Sequence, residues 1–135
     1  MTSFTLSHVD IRVTDQDEAL AFYRDVIGLE VRTDVTLGDY RWLTVGLPSQ
    51  PVIEIILSSN DMGRPLSEEF KALLAKGNMY ALIFRTDDVD SVFERISNAG
   101  ADVLQEPIDQ PYGVRDCAFR DPSGNMIRFS TPAKD

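Results

Sequence analysis

Apolar and polar residues alternate along residues 4–13 with the period of two that marks a half-buried strand. Val9, Ile11 and Val13 fall on one side and His8, Asp10 and Arg12 on the other. The period then changes. Asp15 stands as an N-cap with Glu18 in the capping-box position, and Leu20, Phe22, Tyr23 and Val26 recur at helical spacing until Gly28 ends the helix. Three strand-like segments follow, at 29–35, 40–45 and 52–58, separated by Gly38-Asp39 and by a Pro48-Ser49 turn. The first stretch therefore reads β-α-β-β-β.

Residues 60–78 interrupt the strands. Pro65, then Leu66, Phe70, Leu73 and Leu74 at three- and four-residue spacing, then Gly77, predict a short connecting helix. After it the opening pattern returns. A strand at 79–86 precedes a helix capped by Asp88 and carrying Val89, Val92, Phe93 and Ile96; Gly100 closes it, and strands follow at 102–106, 114–119 and 126–131.

The repetition extends to individual residues. Asp15 matches Asp88, Phe22 matches Phe93, Gly28 matches Gly100, Val31 matches Val103 and Pro48 matches Pro122, with the offset drifting only from 71 to 74. In the turns, Pro48-Ser49 and the strand behind it answer Asp121-Pro122-Ser123-Gly124-Asn125-Met126-Ile127-Arg128, which aligns Glu54 with Arg128. The expected architecture is α+β: one domain of two tandem βαβββ modules, 4–58 and 79–131, joined by a helical connector at 60–78. Each module is a curled mixed sheet with a helix on one face, which leaves the other face open to a partner.

Composition narrows the function classes. The chain has 135 residues, 43% of them hydrophobic, enough for a real core. A formal charge of −9 and the lack of a basic run argue against a nucleic-acid partner. No apolar run is long enough to span a membrane and no export leader is visible, so the chain reads as neither membrane-embedded nor exported. Cys117 is the single cysteine, which fits a reducing cytoplasm and leaves no basis for a nucleophilic role.

Strand alternation gathers the ionisable groups on the faces away from the helices: His8, Asp10 and Arg12, then Glu54 between Val52 and Ile56, then Arg85 after Ala81 and Ile83, then Arg128 between Met126 and Ser130. Charges mixed with apolar side chains suit a pocket wall, although a plain solvated face has the same alternation. Tyr40, Trp42, Tyr80 and Tyr112 are candidate apolar walls, each equally explained by packing.

These features carry a family resemblance. The paired β-α-β-β-β modules, the opening strand with His8, the segment Val52-Ile53-Glu54 and the closing Asp121-Pro122-Ser123-Gly124-Asn125 resemble the vicinal oxygen chelate superfamily, which includes glyoxalase I, bleomycin resistance proteins and extradiol dioxygenases. In its metal-dependent members each module supplies two ligands, one from its first strand and one from its last. By that resemblance His8 and Glu54 are ligand-type residues in the first module, while Ala81 and Arg128 stand at the matching places of the second. Ala81 has no donor atom and a guanidinium is permanently cationic, so two protein ligands remain where catalytic zinc sites keep three.

The resemblance implies a glyoxalase/bleomycin-resistance-like protein that binds a small organic molecule in a cavity between paired modules, as a homodimer, and the two lost donor positions lead to the expectation of no metal or other cofactor. Arg12, Arg85, Arg128 and Trp42 are its candidate ligand-binding residues. Arg12 sits where glyoxalase-like relatives place an arginine on the substrate's carboxylate. His8 and Glu54 are the candidate acid–base residues. An ion pair of Arg128 with Glu54 and His8 that fills the old site is the structural alternative. The functional alternative is a lyase, isomerase or dioxygenase that holds a divalent metal on His8 and Glu54.

Overall fold

Strand β1 (His8–Arg12) opens the computed structural model of the chain, which describes residues 2–61 and 63–132. The chain forms two compact units that divide between Ser67 and Glu68. In the first, β1 leads to α1 (Gln16–Ala21), which widens into a π-helical turn (Phe22–Ile27) before β2 (Glu30–Leu37), β3 (Tyr40–Gly46) and β4 (Glu54–Ser58). The four strands form one mixed sheet, order β1-β4-β3-β2, in which β1 and β4 are parallel. A two-stranded ribbon, β5 (Asn60–Asp61) with β6 (Arg64–Pro65), finishes the unit.

Capping starts α1 as its sequence predicts: the Asp15 side chain accepts from the Glu18 backbone N–H at 2.9 Å. Its end is different. The i→i+5 winding of the π turn brings Ile27 over Phe22, so Ile27 is buried and Val26 only half-buried, where plain helical spacing places Val26 in the core. Gly28, at φ 97°, then turns the chain into β2. Helix α1 covers one sheet face, where Ile11, Leu43, Val45, Ile55 and Leu57 are buried with Leu20 and Tyr23. Gln16 fastens helix to sheet, since its Nε2 donates to the carbonyls of Leu57 at 2.8 Å and Arg41 at 3.1 Å.

The second unit repeats the plan with a helix in front. It runs α2 (Glu68–Ala75), β7 (Ala81–Arg85), α3 (Val89–Asn98), β8 (Asp102–Asp109), β9 (Arg115–Arg120) and β10 (Met126–Ser130), with sheet order β7-β10-β9-β8 and β7 parallel to β10. Its core is aromatic. Phe93 of α3 stacks on Phe119 at 5.4 Å, and Phe84 on Phe129 at 5.4 Å. Strand β8 runs three residues past its expected end because it is an edge strand: Pro107 needs no ladder partner there, and register shifts between Val103 and Gln105 and between Gln105 and Ile108 absorb the irregularity.

Gly124, in the turn before β10, has a packing role. It sits at φ 106°, and a Cβ there would come 2.5 Å from the Leu74 carbonyl oxygen and 2.9 Å from Ala75 Cα, so the turn docks against the end of α2 where only hydrogen fits. Arg120 seals the same place. Its guanidinium lies over Gly77 and donates to the Gly124 carbonyl at 3.0 Å.

Strand register corrects the internal alignment. In the first unit His8 pairs with Glu54 and Arg12 with Ser58; in the second Ala81 pairs with Met126 and Arg85 with Ser130. The flanking bonds agree, since Glu54 N donates to Ser7 O at 2.8 Å as Met126 N donates to Tyr80 O at 3.1 Å. Met126 therefore holds the place of Glu54, and Arg128 holds that of Ile56. The cause is turn length. Five residues separate Pro48 from Glu54 but three separate Pro122 from Met126, and Val52 lies in the longer turn instead of in the strand.

Candidate functional site

On the first sheet's open face, His8, Asp10 and Arg12 of β1 share a side with Glu54, Ile56 and Ser58 of β4, because parallel pairing keeps register partners on one face. Thr44 of β3 joins them opposite Ile56. His8 Nε2 lies 3.4 Å from Glu54 Oε2, and the other carboxylate oxygen accepts from Thr44 Oγ1 at 2.7 Å. Ser7 Oγ is 2.8 Å from His8 Nδ1, so both sides of the imidazole meet polar groups. Trp42 completes the group, its ring centroid 6.1 Å from that of His8. Thr44 and Ile56 are buried while His8 is exposed, so the face grades from a covered floor to an open rim.

The second sheet carries a different network. Asp116 of β9 is a carboxylate with only 1% of its surface exposed. Its Oδ1 accepts from Gln105 Nε2 at 2.7 Å and Gln110 Nε2 at 2.9 Å, and its Oδ2 lies 3.1 Å from Arg128 Nη1. Gln105 closes the ring, since its Oε1 accepts from the same Nη1 at 3.1 Å. Burial pushes the Asp116 carboxyl up, but the two amide donors and the guanidinium outweigh it and hold it below the usual carboxylate range. Arg128 thus finds its acid within its own module, at Asp116. Its Nη2 faces the Met126 sulfur at 3.5 Å, a weak acceptor.

These geometries bear on a metal directly. The register equivalents of His8 and Glu54 in the second unit are Ala81 and Met126, which offer a methyl group and a thioether in place of an imidazole and a carboxylate. Hard divalent ions prefer oxygen and imidazole donors. Among the described residues no three His, Cys, Asp or Glu side chains gather as a metal ion requires. The donor set does not fit the group that the superfamily's metal-dependent members carry.

Other residues singled out by sequence divide by environment. Arg12 is ion-paired with Asp10, two residues before it on the same face of β1. Arg85 is exposed at the end of β7, with no ion pair to it among the described residues. Tyr112 is exposed and Tyr40 and Tyr80 are half-buried, while Trp42 alone of the four touches His8. Cys117 is fully buried, and desolvation pushes its thiol up to about 11, so it is no thiolate at neutral pH. Two open clefts lie at the hairpins, one of about 410 Å³ between Tyr40 and Asn60 and one of about 390 Å³ between Arg115 and Thr131; His8, Glu54 and Arg128 line neither.

Sequence reading missed Thr44, Gln105, Gln110 and Asp116. For Asp116 a signal was present, one acid in the otherwise apolar run Asp116-Cys117-Ala118-Phe119; in the structure it pairs with Ser130, one same-face position along from the Ala118–Arg128 pair. The two glutamines reach it from the irregular edge strand and the turn beyond, where alternation gives no guidance.

Comparison with known proteins agrees with this fold. Residues 5–129 match the family model of the Glyoxalase/Bleomycin resistance protein/Dioxygenase superfamily. The chain belongs to that superfamily. It is 30% identical over 120 residues to YurT of Bacillus subtilis, covering 88% of this chain and 92% of that one. A probable lactoylglutathione lyase of Synechocystis is 28% identical over 128 residues, with 92% of each chain covered. Among solved structures, UcmS2 is similar with a TM-score of 0.83 and 39% identity, covering 96% of this chain and 98% of that one. TnmS3, an antibiotic binding protein from Streptomyces sp. CB03234, is similar with a TM-score of 0.76 and 28% identity over 98% of this chain and 99% of that one.

Proposed function

We propose that the protein binds a small organic molecule on the mixed polar and apolar faces of its sheets, without a metal ion. The observation that carries this is the pairing of Ala81 with Met126 where the first module pairs His8 with Glu54, which halves the superfamily's donor set. The likeness to TnmS3, described as an antibiotic binding protein, supports a binding role. Trp42, Arg12, Arg85 and Arg128 are the ligand contacts of this reading. Among the described residues no helix is long and apolar enough to cross a membrane, and we read the protein as a cytoplasmic homodimer with no nucleic-acid partner. Equilibration with nickel, manganese, iron and zinc followed by metal counting tests the claim. Substoichiometric metal is expected; one tightly held ion per chain, lost when His8 and Glu54 are both replaced by alanine, would overturn it.

A second reading is favoured by one contact. Glu54, held by Thr44 and 3.4 Å from His8 Nε2, is placed to exchange a proton with that imidazole, which suits acid–base chemistry on a bound ligand. The relative described as a probable lactoylglutathione lyase belongs on this side. Recovery of the bound molecule chemically unchanged favours the binding protein, and its recovery as a product favours the enzyme.

A further inference from the structure

Arg128 is one of the cations that sequence reading assigns to ligand binding, yet the structure gives it an acid of its own. Asp116 Oδ2 stands 3.1 Å behind Nη1, and Gln105 Oε1 accepts from the same nitrogen. The orientation of Gln105 is forced: its amide nitrogen donates to Asp116 Oδ1, which turns its carbonyl toward Arg128. Gln110 adds a second donor to Asp116 Oδ1, so the carboxylate is held in its charged form from two sides. Among the described residues, the hydrogen bond of the other terminal nitrogen, Nη2, is to the Met126 sulfur, a weak acceptor. Hydrogen-bonding capacity is left over, but charge is not.

We propose that Asp116 is a specificity-determining residue, which by neutralising Arg128 makes this face select uncharged hydrogen-bond acceptors, such as ketone or amide oxygens, over ionised acids. The proposal rests on the reading of this face as a ligand site. An anion at the outer edge of Arg128 would feel attraction from the guanidinium and, a few ångströms behind it, repulsion from the carboxylate. Its desolvation cost would be undiminished. A neutral acceptor collects the same N–H donors without that cost, and apolar neighbours are at hand: Ala81 and Ile83 lie on this face with Met126, and Ile83 is 67% exposed. The chain's formal charge of −9 works in the same direction at long range.

Matched aromatic probes test this: naphthoate against naphthamide, and naphthalenesulfonate against its sulfonamide. Their binding is followed by calorimetry in the wild type, Asp116→Asn and Arg128→Gln. The wild type is expected to prefer the uncharged member of each pair. Asp116→Asn, which keeps the shape and removes the charge, should shift the preference toward the anion by roughly tenfold, as when a neutral hydrogen bond becomes a charge-assisted one. Arg128→Gln should abolish that shift. A wild type that prefers the anions overturns the proposal and leaves small-molecule binding intact. Binding of neither member, or binding indifferent to Arg128→Gln, removes this face as a ligand site and the proposal with it. Should Asp116→Asn fail to fold, wild-type preference and salt dependence decide, because anion binding through an uncompensated cation weakens steeply with salt and neutral binding does not.

Discussion

Asp116 and Arg128 form a salt bridge of 3.1 Å on a single sheet, with the acid buried and the base half-buried at the face. Removing one partner of such a pair leaves the other uncompensated. Asp116→Leu alone is expected to cost about 3–5 kcal/mol, while the double variant Asp116→Leu with Arg128→Met, which replaces both residues by apolar ones, should cost less than Asp116→Leu or Arg128→Met alone. Urea unfolding of the three variants checks that order. A double variant less stable than both singles would mean that the pair is worth more than the burial of its charges.

The same carboxylate sets an acid limit on stability. The folded form of Asp116 titrates below its unfolded value, so its contribution is complete above the ordinary aspartate range of about 3.9 and is lost as pH falls through the folded value. Asp34 and Asp90, each lowered by an arginine, titrate in the same direction. Denaturation midpoints from pH 7 to pH 2 should fall steeply only below about pH 4. Asp116→Asn should show a shallower fall than the wild type.

Gly124→Ala tests how the closing turn docks on α2. The new Cβ would meet backbone atoms that cannot swing aside, the Leu74 oxygen at 2.5 Å and Ala75 Cα at 2.9 Å, at a φ of 106°. Positive φ and overpacking together predict a loss of about 2–4 kcal/mol. Gly100→Ala is the control. It has a φ of 95° with nothing within 4 Å, so only the backbone term applies, about 1 kcal/mol. Equal losses at the two sites would contradict the close packing.

Cys117 should be inert in the native protein. With its thiol pushed up to about 11 and its side chain fully buried, it is expected to react with a disulfide reagent at pH 8 only after denaturation. Rapid native labelling would mean that β9 opens far more often than its buried neighbours suggest.

Much of the fold was legible because it was written twice. The caps at Asp15 and Asp88 and the glycines at Gly28 and Gly100 bracket both helices in the sequence as in the structure. The open-face assignment of His8, Glu54, Ala81 and Arg128 also follows from alternation alone. What could not be read was register, because pairing depends on the length of a turn on which the period of two is silent. Hence Arg128 was matched to Glu54 when Met126 holds that place. The π turn and the glutamine contacts to Asp116 escaped for the related reason that neither leaves a periodic trace. The resemblance to a metal-binding family thus pointed to the right fold, while the contacts made by the side chains on these strands had to be read from the structure.

Natively purified protein, treated with a chelator and then examined by native mass spectrometry with extraction of whatever it retains, tests the central claim most directly. The expected result is an organic molecule that stays bound after chelation and is recovered unchanged. Loss of the adduct on chelation, or its recovery only as a transformed product, would contradict a metal-free binding protein.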